Sequence, residues 1–276
     1  MEILFLGTGA SEGIPALFCH CRVCENARKK KEKEQRTRCQ AVINGELLLD
    51  FGPDTYAHYL QYDFPLPDIR TLLVTHSHTD HFYATDLGMR REGLAHPDPG
   101  VLDIYGDRTV GEQFKREFLN NKRVLDCNHF HETVPFKAIS HHKYKIIPLQ
   151  ANHDKNELCL FYSIQEKESG KAVLYAHDTG LFPEVTWDFL MRYPVEYNLV
   201  SLDCNSMLGQ DGKNHMGLAD DLEVLARLRE IGRVTENTSI VLNHFSHNSQ
   251  VTHAEMVKAV QAMGFIVAYD GLCCKM

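Results

Sequence analysis

The sequence predicts a single α/β domain, and three observations carry that expectation. Apolar runs of strand length, such as Thr71-Leu72-Leu73-Val74 and Ala172-Val173-Leu174-Tyr175-Ala176, are interleaved with helical segments. The clearest of these is Leu218 to Ile231, where Leu218, Leu222, Leu225, Leu228 and Ile231 fall on one face. No internal repeat and no linker-like stretch interrupts the 276 residues, a length that suits one large domain or two small ones.

In chain order, Met1 to Leu6 reads as a first strand. It runs into the turn Gly7-Thr8-Gly9-Ala10-Ser11-Glu12-Gly13-Ile14-Pro15, where glycine supplies positive φ. No P-loop lysine follows, so turn geometry explains these glycines better than a phosphate cradle. The mixed charge run from Ala27 to Arg38 reads as a solvated helix end or loop. Arg36 and Arg38 within it are weak candidates for contact with an anion. Residues 39–50 form two short strands around Asn44-Gly45, a strong hairpin signal. Pro53 to Tyr62 then reads as a helix with proline near its first turn.

Ala84 to Leu94 has helical character and carries Arg90 and Arg91. Residues 101–105 read as a strand, Thr109 to Asn120 as a helix, and 126–143 as an irregular His-rich rim. Strands near 144–149, 158–164 and 171–176 form an antiparallel second half. A strand from Leu199 to Asp203 and the helix from Leu218 precede a strand at 239–242. A helix from Thr252 to Met263 and a closing strand at 265–268 complete the chain.

Composition sets limits on partners. The hydrophobic fraction of 43% and charged fraction of 24% are those of a soluble globular protein. A net charge of −8 argues against broad affinity for nucleic acid or membrane surfaces. No apolar run approaches the roughly 18 residues of a membrane span, and the start of the chain is too short and acidic for a signal peptide. Nine cysteines at uneven spacing suggest reduced thiols in a cytoplasm, some of them on metal.

Thr75-His76-Ser77-His78-Thr79-Asp80-His81 concentrates the chemistry. Three imidazoles and a carboxylate follow a buried strand, and they are the ligand types of zinc and other transition metals. His76 and His78, two apart, can be aimed by a tight turn at one cation, and the adjacent Asp80 and His81 face a second more easily. Upstream, Cys19-His20-Cys21-Arg22-Val23-Cys24 offers three thiols at a spacing that grips one face of a tetrahedral ion. A fourth ligand must come from elsewhere, with Cys39 and His247 the distant candidates. His247 is favoured because it lies three residues after His244.

The His loop resembles the signature of the metallo-β-lactamase superfamily, and the resemblance runs from Met1 to about Tyr269. It requires an upstream Asp, a lone His, a later Asp and a last His; Asp50, His153, Asp178 and His244 follow strand-like runs in that order. The resemblance implies a four-layer αββα sandwich. It assigns His76, His78 and His153 to one divalent ion, Asp80, His81 and His244 to another, and Asp178 to both. The ions would be zinc, manganese or iron. Asp50 would stand behind them, accepting a hydrogen bond from the His loop and fixing a tautomer. Metal binding lowers the pKa of water toward about 7, which makes a bridging hydroxide a nucleophile. Asp80 could also orient that hydroxide.

The cysteine motif and His247 are similar to one branch, the cyclic-phosphate phosphodiesterases of phosphonate metabolism, where such residues hold a structural zinc. In that branch a His in the region of Asn214-His215-Met216-Gly217 faces the metals and stabilises or protonates the leaving oxygen, so His215 takes that role by resemblance. The expected function is hydrolysis of a small cyclic or simple phosphate diester, with a homodimer implied by the family. A lactonase or thioesterase of the same fold, or a non-catalytic metal-binding accessory protein of cofactor biosynthesis, are the alternatives, because fold does not fix substrate. A tRNA nuclease fits less well with the acidic balance.

Overall fold

The computed structural model describes residues 1–97 and 100–276. Its first six strands are β1 (Glu2–Gly7), β2 (Gln40–Ile43), β3 (Leu47–Leu49), β4 (Thr71–Leu73), β5 (Leu102–Gly106) and β6 (Asn128–Glu132). There follow β7 (Ile139–Ser140), β8 (Tyr144–Gln150), β9 (Leu160–Glu166), β10 (Ala172–Ala176), β11 (Leu199–Asp203), β12 (Ser239–Asn243), β13 (Ile266–Val267) and β14 (Leu272–Lys275). The helices are α1 (Arg22–Lys30), α2 (Thr55–Tyr62), α3 (Arg108–Glu117), α4 (Lys122–Leu125), α5 (Glu184–Arg192), α6 (Leu218–Glu230) and α7 (His253–Val260). One sheet has the order β14-β1-β2-β3-β4-β5-β6, the other β13-β12-β11-β10-β9-β8-β7.

The period of two along a strand assigns each face. Leu47 and Leu49 join Ile3, Phe5 and Ile43 in the core shared with Ile146, Phe161 and Leu174 of the second sheet. Leu48 points the other way, into a layer with Val42, Leu72, Ile104 and, from α3, Val110 and Phe114. A sheet covered on both faces needs unbroken apolar strands, which is what Leu47-Leu48-Leu49 supplies. Trp187 and Leu190 of α5, Leu225 and Leu228 of α6, and Met256 and Val260 of α7 flank the second sheet. This is the expected αββα sandwich.

Several elements differ from expectation. Residues 84–90 form a 3₁₀ segment, not a full α-helix. The span 126–143, expected to be irregular, contains β6 paired in parallel with β5, and β7. The strand at 266–267 does not close the chain; β14 follows it and pairs antiparallel with β1. On α6, Leu222 is 38% exposed, while Asp220 and Asp221 are buried. Asp220 Oδ2 accepts the Gly217 and Asp211 amides, each at 3.0 Å, so the first turn rotates its acids inward.

The topology gathers the chemistry on one edge. Asp50 and the His loop follow the parallel pair β3 and β4; Asp178, Asp203 and His244 close or follow the parallel strands β10, β11 and β12. Crevices outside the carboxyl ends of parallel strands are where α/β proteins build sites. Asp50 (φ +64°), Asp178 (φ +49°) and His244 (φ +59°) all adopt left-handed backbone, a conformation of local cost that clusters at functional positions.

Candidate metal centre

The hydrogen bonds around each imidazole fix which nitrogen is left for a ligand. Thr75 Oγ1 donates to Asp50 Oδ1 (3.0 Å) and accepts from His76 Nδ1 (2.9 Å), so His76 Nε2 is buried with no protein partner among the described residues. His153 Nδ1 donates to the Asn214 carbonyl (3.0 Å), which leaves its Nε2 3.4 Å from His78 Nδ1. The far nitrogen of His78, Nε2, faces Asp154 (3.2 Å) and Glu157 (3.7 Å). One nitrogen from each of His76, His78 and His153 lies within 4.8 Å of the others.

A second cluster adjoins the first. His81 Nδ1 donates to Asp50 Oδ2 (2.7 Å), and its Nε2 meets Asp178 Oδ2 (2.5 Å) and Asp80 Oδ2 (3.1 Å). His244 Nε2 meets Asp178 Oδ1 (3.0 Å), and its Nδ1 lies 3.3 Å from the buried Cys39 Sγ. Asp178 thus presents one oxygen to each imidazole, and its Oδ1 also lies 3.6 Å from His153 Nε2. The structure brings His76, His78, Asp80, His81, His153, Asp178 and His244 together in one crevice.

This donor set suits cations. Burial opposes charge on His81 and His244, yet the Asp178 carboxylate drives both pKa values well above the ordinary imidazole. Asp178 is itself held well below the usual carboxylate range, because His244 and His81 outweigh its burial. His76, fully buried beside His81, is driven well below normal. Without a metal, such a cluster must trap protons between bases. Divalent ions would replace those protons with better-matched charge.

His215 opens onto the same crevice. Its ring lies 4.9 Å from that of His153 and 5.5 Å from that of His244, and its Nδ1 faces Asp203 Oδ2 at 2.9 Å. Burial works against a charge on His215, but Asp203 raises its pKa above normal. Asp203 is fully buried and also accepts the Asn205 (3.0 Å) and Met216 (3.2 Å) amides. Sequence reasoning missed Asp203 as a site residue, although it ends an apolar strand much as Asp50 follows one. It weighed Cys39 only as a fourth ligand for the early cysteines, not as a neighbour of His244, and it missed Asp154 and Glu157, which carry no spacing signal. His177 turns away from the centre to Ser201 Oγ (2.7 Å). Arg36 is engaged inside the fold by Thr8 and the Ala268 carbonyl, and Arg38 by Asp54.

A separate group forms around the early cysteines. Donor atoms of Cys19, Cys21, Cys24 and His247 all lie within 4.8 Å of one another, and His247 Nδ1 is 3.5 Å from both Cys19 Sγ and Cys21 Sγ. His20 pairs with Glu25 on the surface, and Cys39 lies at His244, so neither joins this group. Burial alone would raise the Cys21 thiol, but hydrogen bonds from the Cys24 amide and His247 bring it down to about 6. The loop carrying His244 and His247 is tied to the first turn by Phe245 N to Thr8 O and Ala10 N to Phe245 O, each 3.0 Å.

The chain belongs to the beta-lactamase superfamily: the model of the beta-lactamase superfamily domain matches residues 46–268. Among solved structures, a diphosphatase from the PhnP family is similar over 100% of this chain and 97% of its own, with 22% identity and a TM-score of 0.76. Zn(2+)-bound PqqB from Methylobacterium extorquens is similar over the full length of both chains, with 17% identity and a TM-score of 0.72. At these identities the likeness establishes the fold. An octanoyltransferase of Porphyromonas gingivalis is 32% identical over 116 residues, 39% of this chain. That match spans only 23% of the octanoyltransferase's length. No helix among the described residues is long and apolar enough to cross a membrane.

Proposed function

We propose that the protein is a metal-dependent hydrolase of a small cyclic or simple phosphate diester. The observation that carries this reading is the convergence of seven ligand-type side chains on one crevice, with His215 opening beside them. His76, His78 and His153 would hold one divalent ion, and Asp80, His81 and His244 a second. Asp178, with an oxygen toward each half, would serve both. When bound, such a pair supplies water activated near neutral pH and positive charge for a phosphoryl oxygen.

The protein's own groups do the rest. Asp50 holds His81 Nδ1, so His81 offers Nε2 to the crevice. Asp203 accepts from His215 Nδ1 and raises its pKa, so the doubly protonated ring would carry on Nε2 the proton that could pass to a leaving oxygen. Cys19, Cys21, Cys24 and His247 would form a closed four-ligand zinc site, structural because it leaves no position for water. The likeness in fold to a PhnP-family diphosphatase supports a substrate that carries phosphate.

A second reading, hydrolysis of an acyl ester or thioester, is favoured by the segment shared with an octanoyltransferase. Side-by-side assays with bis-p-nitrophenyl phosphate, p-nitrophenyl octanoate and an octanoyl thioester separate the two. The phosphodiesterase reading expects turnover of the first that is abolished by chelation. Chelator-sensitive turnover of the acyl substrates alone would replace it with the second.

A further inference from the structure

The turn after β3 braces the metal loop at three points. The Asp50 carboxylate holds His81 Nδ1 at 2.7 Å and the Thr75 amide at 2.8 Å. Phe51 N donates to the His81 carbonyl at 2.7 Å. Gly52 lies so close to Asp80 that a Cβ there would fall 2.1 Å from the Asp80 carbonyl oxygen. The position of Asp80 and His81 therefore depends on where Asp50, Phe51 and Gly52 sit. Asp50 is in left-handed backbone, which for a residue other than glycine must be held by its surroundings.

What holds it is a buried polar chain. Gln40, on β2 and 1% exposed, donates from Nε2 to the Asp50 carbonyl (3.0 Å) and to Thr55 Oγ1 (2.9 Å). Thr55 in turn donates to the Gly52 carbonyl (2.7 Å). Because a carbonyl only accepts, the amide of Gln40 must face Asp50 with its nitrogen. Its Oε1 then accepts from His58 Nδ1 (2.6 Å), which fixes the His58 tautomer. Thr55 and His58 lie three apart on α2, on one face. Behind them, Thr37 Oγ1 lies 2.7 Å from both His58 Nε2 and Asp270 Oδ2. Burial lowers the His58 pKa to about 4, consistent with a neutral ring in this chain.

We propose that Gln40 and His58 are positioning residues for Asp80 and His81, acting through the Asp50 turn. The inference rests on the metal-centre reading given above. Neither residue touches the crevice. Their hydrogen bonds stop the strained turn from relaxing, so the carboxylate of Asp50 and the backbone of Gly52 stay where the metal loop needs them. Partners that hydrogen-bond metal ligands directly set affinity by about 10–100-fold, and Asp50, which these residues hold, is such a partner of His81.

The test uses the full chain loaded with Co²⁺, with affinity read by competition against a chromophoric chelator. Co²⁺ on the cysteine group gives a thiolate charge-transfer band, and Co²⁺ on His and Asp ligands gives only weaker visible bands, so the two loads are separable. A wild-type chain that takes up Co²⁺ only on cysteines sinks the metal-centre reading itself. If wild type loads both, Gln40→Met should lower affinity at the His/Asp centre about 10–100-fold and leave the thiolate band unchanged. His58→Asn keeps a donor where Nδ1 stood, whereas His58→Leu fills the space without one. Positioning predicts that His58→Asn retains more Co²⁺ affinity than His58→Leu; simple packing predicts the reverse. Equal affinities, or the packing order, would overturn the inference, and this pair decides the matter even if Gln40→Met fails to fold.

Discussion

The buried Asp203 and the part-exposed His215 form a pair, Oδ2 to Nδ1 at 2.9 Å, at the lip of the crevice that holds Asp178. The carboxylate sits at the end of β11 while the imidazole rides a loop twelve residues later, so the pair pins that loop to the sheet. The same loop lends its Asn214 carbonyl to His153. If His215 Nε2 protonates the leaving oxygen, His215→Ala should slow poor alkoxide leaving groups by about 10²–10⁴. A p-nitrophenolate leaving group, which needs little protonation, should suffer less. Asp203→Asn should show the same selectivity with a smaller loss. Equal losses on both substrate types would remove the general-acid role and leave His215 only binding work.

The cysteine group should act on stability first. Cys21→Ser should yield one zinc fewer per chain and a lower melting temperature, with the His/Asp metals retained in the folded fraction. His247→Ala should resemble Cys21→Ser more than His244→Ala. Atomic absorption of the three purified variants checks this, and loss of crevice metals alone in His247→Ala would count against a separate zinc site.

Acid should destabilise the fold through the buried His58 and the partly buried His253. Burial holds His58 at about 4, and His253, beside Arg36 Nη2 at 2.9 Å, is also lowered to about 4. Both bind a proton more readily unfolded, near 6.5, than folded. Their stabilising contribution is therefore intact above that pH and is lost as pH falls toward about 4. Urea midpoints at pH 7 and pH 5 should drop more for wild type than for His253→Asn or His58→Asn. Identical drops would contradict the assignment.

Much of the candidate site is legible in the sequence because parallel strands deliver side chains at their carboxyl ends. The His loop is legible from its own spacing, whereas Asp50, His153, Asp178 and His244 are legible only through the resemblance to the metallo-β-lactamase superfamily. In the fold Asp50, the His loop, Asp178 and His244 all follow parallel strands. Asp203 has the same placement, but a lone Asp at a strand end has no companion at ligand spacing to mark it. Gln40 and His58 are less legible still, since their role depends on a contact between residues 18 positions apart. The fold shows a similar limit. Leu222 continues the helical stripe of α6, but the cap at Gly217 and Asp220 turns it outward. β14 is a short run with two cysteines, and it is a strand because β1 offers it an edge.

The account turns on Asp178, whose two oxygens reach His81 at 2.5 Å and His244 at 3.0 Å. The most direct measurement is metal content per chain by inductively coupled plasma mass spectrometry, in wild type and in Asp178→Ala, with phosphodiesterase turnover measured on the same preparations. Wild type should carry two metals beyond the cysteine-bound zinc. Asp178→Ala should keep that zinc, lose crevice metal and lose turnover. A folded Asp178→Ala chain with the full metal load and wild-type turnover would contradict a metal centre built on Asp178.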